Sequence, residues 1–326
     1  VDVTPAGTVR VTVTRSDPRA QLPRLTTSLR SGIENQYTGQ VARDVVRLLK
    51  ASTDPGQLIW EAIAFGAPRA EFGWGHSVAS ATDCLAMVDL YEGDQRALPI
   101  VQGIMGISES ERGRHVNVLP DPADPTSANE IAFRAAVEAE KLAEAQSYVL
   151  AAIERGDGPH DLRPWFGGVI SDHHLSYGHG AIYSQKAFEL LEMIGWDRAA
   201  TVLPHLVPTL VFGTREDKLP YMRPFTKALG ATDLASLANV DTDTSWNDEG
   251  QLLDAVLGDN RAGLVDAVVT ALQAGAGIDG VLDVVVQAVS ERMLRYDTGG
   301  EFDFADDFGW LDITHGLTYA NAVRWH

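Results

Sequence analysis

Gly178-His179-Gly180-Ala181-Ile182-Tyr183-Ser184 and Thr314-His315-Gly316-Leu317-Thr318-Tyr319-Ala320 are two versions of one pattern. A looser third version runs Gly75-His76-Ser77-Val78-Ala79-Ser80-Ala81. In each, a histidine is followed by Gly or Ser, then by two mostly apolar residues, then by a hydroxyl at the fourth place. A step of four returns to the same helix face, so the pattern predicts three helices, each carrying an imidazole and a hydroxyl one turn apart.

Working outward, the same periodicity recurs. Val41, Val45, Leu48 and Leu49 fit one helix face, with Arg43, Asp44, Arg47 and Lys50 on the other. Helices are expected over 58–65, 76–91, 128–155, 176–195, 196–212, 219–229, 248–257, 260–274, 278–295 and 308–325, joined by links bearing Gly or Pro. The run Val284-Val285-Val286 also suits a buried strand, but the length of its segment favours a helix. Only Val9, Val11 and Val13, alternating with Arg10, Thr12 and Thr14, read as a strand. The expected fold is therefore all-α: tandem helical hairpins forming a bundle or short solenoid around a central pocket, with a short N-terminal β segment. Residues 1–31 read as that segment plus a surface connector, and 32–326 as one helical domain. The chain starts at Val1 without a methionine and ends while a helical pattern still runs, which reads as a piece of a longer protein or as disordered ends.

The composition narrows the partners. With 326 residues, 45% of them hydrophobic, the chain can bury a sizeable core. Its 26 basic against 45 acidic residues give a net charge of −19, a field that repels phosphate backbones and anionic lipid surfaces. Nucleic acid and membrane are thus not expected partners. The single cysteine, Cys84, cannot form an internal disulfide, and no apolar run reaches the ~20 residues of a membrane span, so a cytoplasmic location is expected.

The candidate site follows from the repeat. One turn before the histidines stand Gly73, Ser176 and Asp312; one turn after stand Ser80, Tyr183 and Tyr319; two turns after stand Asp83, Lys186 and Ala322. Asp312 and His315 are three apart, the spacing at which a carboxylate orients an imidazole or shares its ion. His205, among apolar neighbours in Leu203-Pro204-His205-Leu206, is a further candidate for the cluster. The expected metal ligands are His76, His179, His315 and His205, with Asp312, Tyr183, Tyr319 and Asp83 as catalytic partners. Any one such histidine more often packs as a hydrogen-bonded core residue; the recurrence in one register argues for a shared site. The charged turn Arg215-Glu216-Asp217-Lys218 reads as a solvated loop or as a gate beside a pocket. Trp74, Trp165, Trp196, Trp310 and Trp325 are candidates to line a cavity for a flat substrate, or to be ordinary core.

The repeated histidine-bearing helices, above all Asp312-Ile313-Thr314-His315-Gly316-Leu317-Thr318-Tyr319-Ala320-Asn321-Ala322, resemble the helical repeats of the questin oxidase-like family over roughly residues 74–325. The resemblance implies an all-helical oxygenase; the family's named member opens an anthraquinone ring by Baeyer–Villiger oxidation with a reduced nicotinamide nucleotide. The β segment, outside the resemblance, looks like the end of an electron-carrier module such as a Rieske iron–sulfur domain. Three imidazoles with an open position hold Fe(II) for dioxygen chemistry or Zn for hydrolysis. The expected function is a metal-dependent oxidoreductase, an oxygenase on a small organic and aromatic substrate, with Fe(II) favoured over Zn by the resemblance and NADPH or a redox partner supplying electrons. The alternatives are a zinc hydrolase, a metal-free acid–base enzyme and a non-catalytic helical scaffold.

Overall fold

The computed structural model of the chain describes residues 2–3, 9–10, 18–302 and 309–326. Among these residues lie sixteen α-helices, and the protein is all-α. At the N-terminus Asp2–Val3 (β1) pairs antiparallel with Val9–Arg10 (β2), with Val3 opposite Val9. The rest of the expected 9–13 strand falls outside the described residues. The region read as one helical domain divides into two compact units, Val1–Glu71 with His76–Asn117 and Phe72–Gly75 with Val118–His326.

The first unit contains α1 (Leu22–Asn35), α2 (Thr38–Lys50), α3 (Pro55–Gly66), α4 (His76–Ala86) and α5 (Ala97–Glu111). The first of these corrects the reading of residues up to 31 as a connector. Leu25, Leu29 and Ile33 recur every four residues and give α1 an apolar face, and Pro23 stands in the first turn, where a missing N–H is harmless. On α2, Val41, Val45 and Leu48 are buried as expected, but so is Asp44, which lies three residues from Val41 and four from Leu48 on that same face. Burial pushes its carboxyl up, yet the Arg43 guanidinium at 2.8 Å and the nearby Arg47 hold it below the usual carboxylate range. Helix α5, which the sequence reading leaves out, adds Ile100, Ile104 and Ile107 to this core.

The second unit carries α6 (Glu130–Glu138), α7 (Leu142–Arg155), α8 (Pro159–His173), α9 (His179–Ile194), α10 (Ala199–Val211), α11 (Arg223–Gly230), α12 (Leu234–Leu237), α13 (Gln251–Leu257), α14 (Arg261–Gln273), α15 (Gly277–Arg295) and α16 (Trp310–Trp325). The single long helix expected over 128–155 is broken into α6 and α7 at Glu140, whose φ of 54° is left-handed. There the Glu140 N–H donates to Val137 O and the Lys141 N–H to Ala136 O, closing α6 without a glycine. The valine run is helical, within α15.

An aromatic cluster centres this unit. Phe133 of α6 meets Phe166 of α8 at 5.5 Å between ring centroids, and Phe166 meets Phe188 of α9 edge-on at 5.6 Å. Phe188 also packs against Trp325 of α16 at 6.1 Å. Since Phe188 and Trp325 lie nine and ten residues beyond the His179 and His315 that meet, α9 and α16 run side by side in the same direction. A smaller cluster of Leu252, Ala271, Ala276 and Val284 joins α13, α14 and α15. No described helix is long and apolar enough to cross a membrane.

Candidate functional site

His179 is the first residue of α9, and His315 lies in the second turn of α16. Their Nε2 atoms are 2.9 Å apart, with ring centroids 4.8 Å apart and planes at 80°. The other nitrogen of each ring meets a carbonyl: His179 Nδ1 is 2.7 Å from Ser176 O, and His315 Nδ1 is 2.6 Å from Leu311 O. A carbonyl can only accept, so each Nδ1 carries the proton and donates it. In neutral rings both Nε2 atoms then present lone pairs to one another. At 2.9 Å that arrangement demands a shared cation, either a proton or a metal ion. Two nitrogens held by one first-row ion at about 2.0–2.1 Å sit about 3 Å apart when they take neighbouring right-angled positions, so the pair fits a metal.

The two imidazoles form part of the wall of a cavity of about 580 Å³ within the second unit. Met222, Phe225, Leu264, Leu311 and the rings of Tyr177, Tyr221 and Tyr319 make most of the rest of the wall. Glu216, Asp312 and Arg261 are its charged groups. Glu216 is 5% exposed, and its carboxylate accepts from the Tyr221 hydroxyl and from the Tyr177 N–H. That bond to Glu216, with burial added, pushes the Tyr221 phenol up to about 12. Arg261 donates to Tyr221 O at 3.0 Å and lies over the Tyr221 ring. The size and apolar lining suit a small organic molecule.

Of the two tyrosines expected beside the histidines, Tyr319 lines the cavity and Tyr183 does not. Tyr183 is buried one turn beyond His179, with the two rings 5.2 Å apart, and burial pushes its phenol up to about 12. Burial pushes the Tyr319 phenol up as well. Both phenols therefore stay protonated near neutral pH and are suited to donate hydrogen bonds, not to accept protons. Tyr319 packs against Gly178: a Cβ there would come within 2.5 Å of the tyrosine ring, and the φ of 88° also favours glycine.

The roles expected of Asp312, His205 and the tryptophans, and the helix start expected at Ser176, are corrected. Asp312 lines the cavity, but its carboxylate accepts from the Gly309 N–H at 2.9 Å and closes the start of α16. The group that orients His315 is the Leu311 carbonyl; a carboxylate in the first turn is claimed by the unpaired N–H groups of the helix start. His205 does not share the His179–His315 contact and does not line the cavity. It is 5% exposed in α10 between Pro204 and Pro208, and burial pushes its imidazole down to about 4. His76 opens α4 in the first unit, and Asp83 follows on the same helix; both are exposed. The expected helix from Ser176 begins instead at His179, because Ser176 and Tyr177 are left-handed. The five tryptophans do not line the cavity: Trp165, Trp196 and Trp325 pack against Phe133 or Phe188.

Glu216, Tyr221, Phe225 and Arg261 are cavity residues that the histidine repeat does not reach. The dense charge of residues 215–218 is the one sequence signal near them. The turn is not simply solvated: Arg215 binds Glu138 and Asp217, each at 3.1 Å. No family model matches the chain, and neither a curated protein nor a solved structure matches it.

Proposed function

We propose that His179 and His315 together hold one divalent metal ion at the wall of the cavity. In this reading the protein is a metal-dependent oxidoreductase, an oxygenase acting on a small, flat, largely apolar organic molecule. The observation that carries the metal is the pair of facing Nε2 atoms, each deprotonated because its Nδ1 proton is committed to a carbonyl. The aromatic and aliphatic lining supports the substrate class. The resemblance to the questin oxidase-like family favours dioxygen chemistry and iron over zinc, with a reduced nicotinamide nucleotide or a redox partner as the electron source.

When bound, Fe(II) supplies a redox centre with open positions for dioxygen chemistry. The chain's own residues do the rest. The Ser176 and Leu311 carbonyls keep both rings in the ligating tautomer. Met222, Phe225, Leu264 and Leu311 exclude water from one side of the substrate, and Tyr319 offers a protonated hydroxyl. Glu216 and Arg261 provide polar contacts that fix its orientation.

The test is dioxygen uptake by the full chain loaded anaerobically with Fe(II), given reduced nicotinamide and a panel of aromatic ketones and quinones. Uptake that needs an aromatic substrate and disappears in His179→Ala is expected. Hydrolysis of aryl esters by the zinc-loaded chain, with no dioxygen uptake by the iron-loaded one, would replace this reading with a hydrolase. A chain that binds neither metal is left as a scaffold or a metal-free acid–base enzyme.

A further inference from the structure

Four of the five residues that lead into His179 are left-handed, and three of the four are not glycine. His174, Ser176 and Tyr177 have φ values of 47°, 50° and 55°, and Gly178 has 88°. Non-glycine residues rarely adopt this region, and a cluster of them persists only where the surroundings over-determine it. Here the surroundings are the turn at 214–216. The Ser176 N–H donates to Thr214 O at 3.0 Å, and the Thr214 N–H donates back to Ser176 Oγ at 2.8 Å. The Tyr177 N–H donates to Glu216 Oε1 at 3.3 Å. Glu216 is itself held by the Tyr221 hydroxyl, and the neighbouring Arg215 ties the turn to Glu138.

The Ser176 carbonyl is the acceptor of the His179 Nδ1 proton. It can serve only while the left-handed connector keeps it aimed back at the ring. The partner of His315 is of a different kind: Leu311 O lies four residues back on the same helix and is supplied by α16 itself. The two imidazoles therefore depend on different structures for their tautomer.

We propose that Glu216 and Ser176 are positioning residues for His179: they clamp the 174–178 connector in the conformation that commits the His179 proton to Nδ1 and leaves Nε2 facing His315. The effect on metal affinity rests on the reading of the histidine pair as a metal centre; the effect on the tautomer does not.

The experiment uses the labelled, metal-free full chain, with long-range proton–nitrogen correlation to read the tautomer of each imidazole, followed by Co(II) titration. In Glu216→Ala, His179 is expected to become a mixture of tautomers while His315 keeps its Nδ1 proton. Co(II) binding should weaken by the ~10 to 100-fold typical of losing a group that orients a ligand. Glu216→Gln keeps an oxygen for the Tyr177 N–H and should recover most of both properties. Ser176→Ala, which removes only a hydroxyl, should shift His179 in the same direction and serves if Glu216→Ala does not fold. A His179 tautomer unchanged in Glu216→Ala and Ser176→Ala, or His179 and His315 shifting together, overturns the proposal. A tautomer change in a chain that never binds Co(II) upholds the clamp and removes the metal reading.

Discussion

At the scale of single residues, the fate of each imidazole follows from what its second nitrogen touches. His179 and His315 stand at the same place in a recurring sequence, and the structure brings their Nε2 atoms together. That much was legible, because a helix converts a spacing of four into a shared face. The role read for Asp312 was not, because a carboxylate three residues before a histidine is also a carboxylate in a first turn, and spacing alone does not say which N–H it takes. His205 illustrates the opposite outcome, an imidazole held neutral in an apolar helix with its pKa pushed down to about 4. The unfolded chain, titrating near 6.5, binds this proton more readily than the folded one. Its contribution to stability is thus full above about pH 6.5 and is lost as pH falls from there towards about 4, a difference of a few kcal/mol at most. Chemical denaturation of the parent and of His205→Leu between pH 7.5 and 4.5 checks this. The parent should lose stability more steeply on acidification, and parallel profiles would contradict the assignment.

At the scale of elements, strong periodicity was readable and weak or interrupted periodicity was not. Val41, Val45 and Leu48 announced α2, whereas α1 was hidden by its Pro, Arg and Thr content and the break at Glu140 has no Gly or Pro to mark it. Residues 176–178 of the connector read as helix because 176–184 look helical; their left-handed path is imposed by the turn at 214–216, 38 residues on for the Thr214–Ser176 bond. Tertiary contacts of that kind leave no local trace in sequence. For α16, Asp312→Ala removes the acceptor of the Gly309 N–H and should cost about 0.5–2 kcal/mol of stability, the usual range for a lost helix cap. Metal content should stay within about twofold of the parent, since the Leu311 carbonyl that orients His315 is untouched. A 10-fold or larger loss of metal with unchanged stability would restore the orienting role to Asp312.

At the scale of the whole molecule, the histidine pair joins residues 136 apart in sequence, and the aromatic contact of Phe188 with Trp325 holds the same two helices together further along. An ion held by both imidazoles binds the folded state only, so a free concentration 100 times the dissociation constant should add about 2.7 kcal/mol to the unfolding free energy. That gain, measured by denaturation with and without Co(II), should vanish in His179→Ala and in His315→Ala. The double variant should behave like either single one, because both disable one centre. The most direct test is elemental analysis of the full chain purified without an affinity tag, alongside those two single variants. Close to one divalent transition metal per parent chain is expected, and none in either variant. A parent with no stoichiometric metal, and single substitutions whose stability losses simply add, would contradict it.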